Sequence, residues 1–121
     1  MADRAAVSVD VNLAAEGYLR SADGRLRHIP GLECIARDTL GADVRVTWGT
    51  PRNGKAGCTY LLRRLIVLAP WVFDRPGYVV RDVWAHELGH CMVGRCCARA
   101  RHWQEWSYGA SLSPGQEGAG G

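Results

Sequence analysis

The sequence has one phenylalanine and two methionines, so tryptophans, Trp84, Trp103 and Trp106 among them, are expected to supply aromatic area to the core. Lysine is nearly absent: Lys55 is the single example, and the net charge of +3 rests on arginines scattered along the chain. That scatter is a compositional bias rather than a basic stripe, and it argues against a nucleic-acid surface. No apolar run approaches the roughly 20 residues needed to span a bilayer, and "MADRAAVSVDVN" lacks the charged-then-apolar order of a signal peptide. Five cysteines (Cys34, Cys58, Cys91, Cys96, Cys97) are an odd number without paired CxxC motifs. Both facts speak against a disulfide framework and for a reducing, cytoplasmic setting, with Cys34 and Cys58 expected as small buried apolar residues.

What remains is a chain of 121 residues, 47% hydrophobic and 22% charged. It is long enough for one domain with its own core and too short for two. Residues 1–113 are assigned to that domain. The tail at 114–121, ending "SPGQEGAGG", has nothing to bury and is expected to be disordered.

Along the chain, "AVSVDVNL" alternates Val7, Val9, Val11 and Leu13 with small or polar residues and reads as a strand. "AAEGYLRSADGRLRHIP" is hard to assign, although Asp23-Gly24 marks a turn between two short segments. From Pro30, "PGLECIARDTLG" places Leu32, Ile35, Ala36 and Leu40 on one helical face, with Gly41 at a C-terminus suited to positive φ. "ADVRVTWG" alternates Val44, Val46 and Trp48 as a half-buried strand. "TPRNGKAG" is a loop, and "CTYLLRRLIVLAPWVF" holds two more strands, a short one at Cys58 to Leu61 and an apolar one at Leu65 to Leu68. After the break "DRPGY", the segment "YVVRDVWAHELGHCMVG" runs helically to Gly94. Val80, Trp84, Leu88 and Cys91 or Met92 form its apolar stripe. The order predicts an α+β fold: a small twisted, mostly parallel sheet with an antiparallel edge strand, packed against two helices.

At about 100° per residue, His86 and His90 lie roughly 40° apart and one turn along that last helix, so both imidazoles reach one ion. Glu87 sits beside them. Two neutral imidazoles on Zn²⁺ with an adjacent carboxylate are what hydrolytic zinc chemistry requires: the metal lowers the pKa of its water to about 7, and the carboxylate takes and passes on the proton. A purely structural zinc site would call for four protein ligands and would have no use for Glu87.

"VVRDVWAHELGHCMVG" resembles the active-site helix of the zincin metallopeptidases, most closely the matrixin-like metzincins, whose motif is HExxHxxGxxH. The likeness extends over roughly residues 30–114 and is strongest from Val79 to Gly94. It implies a zincin-like fold, a zinc cofactor, Glu87 as general base, a peptide or protein substrate, and a monomer that touches no membrane. It also implies that an extended substrate adds antiparallel to the edge strand, here Gly57 to Leu61. Three departures stand out. The motif glycine falls at Val93 whereas the glycine is Gly94, the third histidine position holds Cys96, and no methionine follows the helix. His102 is the leading third ligand, reached through the inserted turn "CCARAR". "HWQEWSYGASLSP" then resembles the matrixin order of histidine, acid and turn, with Leu112 in place of the usual methionine. Glu105, Cys96 and Cys97 remain alternatives, and Tyr108 is a candidate hydrogen-bond donor kept outside the catalytic set. Two further readings compete with the peptidase: a metal-dependent ribonuclease, and a degenerate zincin serving as a binding module.

Overall fold

The computed structural model describes residues 7–93. Within them the chain folds as α+β, with a mixed sheet and three helices. Strand β1 (Val7–Ser8) leads to helix α1 (Val11–Ala14), and a hairpin of β2 (Tyr18–Arg20) and β3 (Leu26–His28) follows. Then come α2 (Leu32–Gly41), β4 (Arg45–Trp48), β5 (Gly57–Tyr60), β6 (Leu65–Leu68) and the long helix α3 (Gly77–Val93).

The main sheet has the order β1-β4-β6-β5, and the β2–β3 hairpin forms a second, two-stranded sheet. Only β4 and β6 are parallel; β1 pairs antiparallel with β4, and β5 antiparallel with β6. The sheet is therefore mixed, and the expectation of a mostly parallel one is corrected. The antiparallel edge strand expected at Gly57 to Leu61 is present as β5. Its tight return to β6 passes through Arg64, whose φ of 49° lets the chain reverse.

Alternation decides the two faces of this sheet. Val46, Trp48, Ile66 and Leu68 are buried toward the helices, and the cross-strand register puts Gly57 opposite Leu68 and Thr59 opposite Ile66 on that same face. Cys58 and Tyr60 point to the other face, beside Val67 and Leu65. Helix α3 packs on β5 and β6, and α2 packs on α3 and α1. The core between helices and sheet includes Leu19, Ile29, Leu32, Ile35, Trp48, Ile66, Leu68, Val80, Trp84 and Leu88. Fully burying one aliphatic side chain of this size contributes about 1.5–3 kcal/mol, so the set outweighs any polar contact below.

Local chemistry explains where the elements depart from expectation. "AVSVDVNL" is not one strand, because the Asp10 carboxylate accepts a hydrogen bond from the Leu13 amide at 3.0 Å and starts a short helix at Val11. In α2 the inward position belongs to Thr39, fully buried, while Leu40 is 44% exposed. Gly41 ends the helix with no left-handed turn; the positive φ falls two residues later, at Asp43. Asp is among the residues that tolerate this conformation. Cys34 is exposed and Cys58 half-buried, which corrects the expectation that both lie in the core. Of the two candidates for the end of the α3 stripe, Cys91 is the buried one and Met92 is exposed. Burial holds the Cys91 thiol above its usual pKa.

Candidate metal centre

Helix α3 carries the candidate residues and is buried along much of its second half. Trp84, Ala85, Leu88 and Gly89 are buried, and so is Glu87, at 6% exposure. His86 and His90 flank Glu87 and are half-buried. Their rings meet edge to face, with centroids 4.9 Å apart and planes at 87°. One ligand atom from each of His86, Glu87 and His90 can be chosen so that all lie within 4.8 Å of one another. A group of this kind could hold a metal ion.

A buried carboxylate needs a partner to offset its desolvation. Thr59, on the edge strand β5, supplies it: the hydroxyl lies 2.7 Å from Glu87 Oε1 and 3.0 Å from the Glu87 main-chain carbonyl, donating to both in a shared arrangement. No other hydrogen bond to the Glu87 side chain is formed among the described residues. One carboxylate oxygen is thus tied to the sheet.

The close approach of α3 to β5 depends on Gly57. A Cβ there would lie 3.1 Å from Glu87 Cγ and 3.2 Å from the Val67 carbonyl oxygen, a fit so tight that a neighbour would have to give by a few tenths of an ångström. The reading from sequence found His86, Glu87 and His90 and missed both Thr59 and Gly57. A threonine two residues into an edge strand is ordinary, and only the register that turns it toward α3 singles it out.

His102 and its alternatives Glu105, Cys96 and Cys97 lie outside the described residues, as do Tyr108, Leu112 and the 114–121 tail. No helix among the described residues is long and apolar enough to cross a membrane. No protein-family model matches the chain, and neither a curated protein nor a solved structure shows significant similarity to it.

Proposed function

We propose that the protein is a zinc-dependent peptidase in which His86 and His90 hold the metal and Glu87 is the general base. The observation that carries this reading is the placement of Glu87: a buried carboxylate, steadied by Thr59, between two histidines one helical turn apart. Burying an acid in a small core is costly. A site that moves a proton gives that cost a function.

Zinc bound there would act as a Lewis acid, bringing the pKa of water to about 7. Glu87 takes the proton from the attacking water and returns it to the departing amine. Thr59 holds the carboxylate in place through both transfers. The third ligand comes from the segment after Val93, with His102 the leading candidate and Glu105, Cys96 and Cys97 the alternatives. Among the described residues β5 is an edge of the main sheet, where an extended peptide would join as a further strand. The zincin resemblance of "AHELGH" belongs to this proposal.

The test is cleavage of casein and of a mixed peptide library by the zinc-loaded full chain, beside Glu87→Gln. Wild type is expected to cut and Glu87→Gln to lose about 10²–10⁴-fold in rate while keeping its fold. Equal activity in the two, or none in wild type, contradicts the proposal. Zinc content of His102→Ala and Cys96→Ala assigns the third ligand.

A further inference from the structure

On the face of β5 turned away from Glu87, two guanidinium groups share one aromatic ring. The carbon of the Arg52 guanidinium stands 4.9 Å from the centroid of Tyr60, and that of Arg63 stands 5.5 Å from it. Arg52 arrives from the single helical turn Arg52–Gly54 before β5, and Arg63 from the turn after it. Neither makes an ion pair with an acidic side chain among the described residues, where Arg25 alone does so. Two like charges held at one ring repel each other, and the ring face offsets this only in part. An anion received between them would relieve that repulsion.

Its position says which anion. Tyr60 follows Thr59, and Thr59 touches Glu87. A strand laid along the open edge of β5 advances about 3.3 Å per residue, so a side chain beside Tyr60 lies within about two residues of the bond presented to Glu87. Resting on the peptidase reading above, we infer that Arg52, Tyr60 and Arg63 form a subsite for an acidic side chain of the substrate. Glu and Asp carboxylates accept paired hydrogen bonds from guanidinium groups, and the Tyr60 ring holds two such groups near one point. A peptide satisfies both halves of this surface, the edge of β5 and the arginine pair. A nucleic acid would use only the charge.

The test uses the zinc-loaded full chain and a mass-spectrometric profile of bonds cut in a peptide library. Glu or Asp is expected to be enriched at one fixed position within about two residues of the cut. In matched peptides, Glu at that position should raise kcat/KM about tenfold over Gln, as a charge-assisted hydrogen bond at a partly exposed site would do. The preference should vanish in Arg52→Ala/Arg63→Ala and turn toward Lys in Arg52→Glu/Arg63→Glu, with circular dichroism confirming that both variants fold. No acidic enrichment, or an enrichment that survives both variants, overturns the inference.

A binding arm separates this inference from the peptidase reading. If wild type cuts nothing, that reading fails. Fluorescence anisotropy with the labelled Glu and Gln peptides then decides the subsite: tighter binding of the Glu peptide, lost in the double alanine variant, sustains an anion site for peptides. Equal binding overturns it. So does displacement of the Glu peptide by a single-stranded RNA oligonucleotide that binds more tightly through the same arginines.

Discussion

Two threonines tie helix α3 to the rest of the molecule, and they do so to opposite ends. Thr39, on α2, is fully buried; its hydroxyl donates to the Ile35 carbonyl at 2.8 Å and accepts from Trp84 Nε1 at 2.8 Å. Every donor in that contact is used, nothing is left over, and the result is a joint between two helices. Thr59, on β5, meets a carboxylate instead of an indole, and its single proton cannot saturate two oxygens. The first contact closes the core. The second holds a carboxylate in the core with one of its oxygens bonded among the described residues. A polar group inside a small protein is thus no sign of function by itself; what distinguishes Glu87 is the pair of histidines on either side.

The comparison can be broken most forcefully at Glu87. Glu87→Gln preserves size and the hydrogen bond from Thr59, so stability should change little while peptide cleavage falls about 10²–10⁴-fold, read from steady-state rates. Thr39→Val does the reverse. It leaves the Trp84 N–H buried without a partner, a loss of about 1–3 kcal/mol by chemical denaturation, with zinc content unchanged. Gly57→Ala should cost both stability and activity, because the added methyl group meets Glu87 Cγ and a backbone oxygen at once. Thr59→Val sharpens the contrast: it strips a buried carboxylate oxygen of its partner, a loss of about 1–3 kcal/mol by chemical denaturation, and it should also slow peptide cleavage, which Thr39→Val does not.

The smallest effect lies far from both threonines, in the β2–β3 turn. There the Asp23 carboxyl is held at about 2, below its usual 3.8, by the Ser21 hydroxyl first and Arg25 second. A lowered carboxylate pKa means that the stabilising contribution is full above about pH 4 and disappears as the pH falls toward 2. Asp23→Asn should therefore flatten the melting temperature against pH in that window and lower it slightly, by a constant amount, from about pH 4 up through neutrality.

The legible parts of the sequence were those where one pattern dominates. The stripe Val80, Trp84, Leu88 of α3, the alternation of Val44, Val46 and Trp48, and the apolar run at Leu65 to Leu68 all lie where hydrophobic period alone places them. His86, Glu87 and His90 were legible because helical spacing is enough to bring them together. What was hidden depended on a partner distant in sequence. Thr39 reads as a surface residue until Trp84 is seen above it, and Leu40 then loses the inward position. The break at Asp10 hinges on one capping carboxylate against a run of alternating valines. Gly57 and Thr59 belong to the site only through the register of β5 against β6 and the packing of α3 on both.

The central claim is that His86 and His90 hold one metal ion beside a carboxylate that is not needed to bind it. The direct measurement is zinc per chain by mass spectrometry, after zinc loading and dialysis, for wild type, His86→Ala, His90→Ala and Glu87→Gln. The account predicts one zinc ion per chain in wild type and in Glu87→Gln, and its loss in either histidine variant. Zinc retained in full by both histidine variants, or absent from wild type, would contradict it.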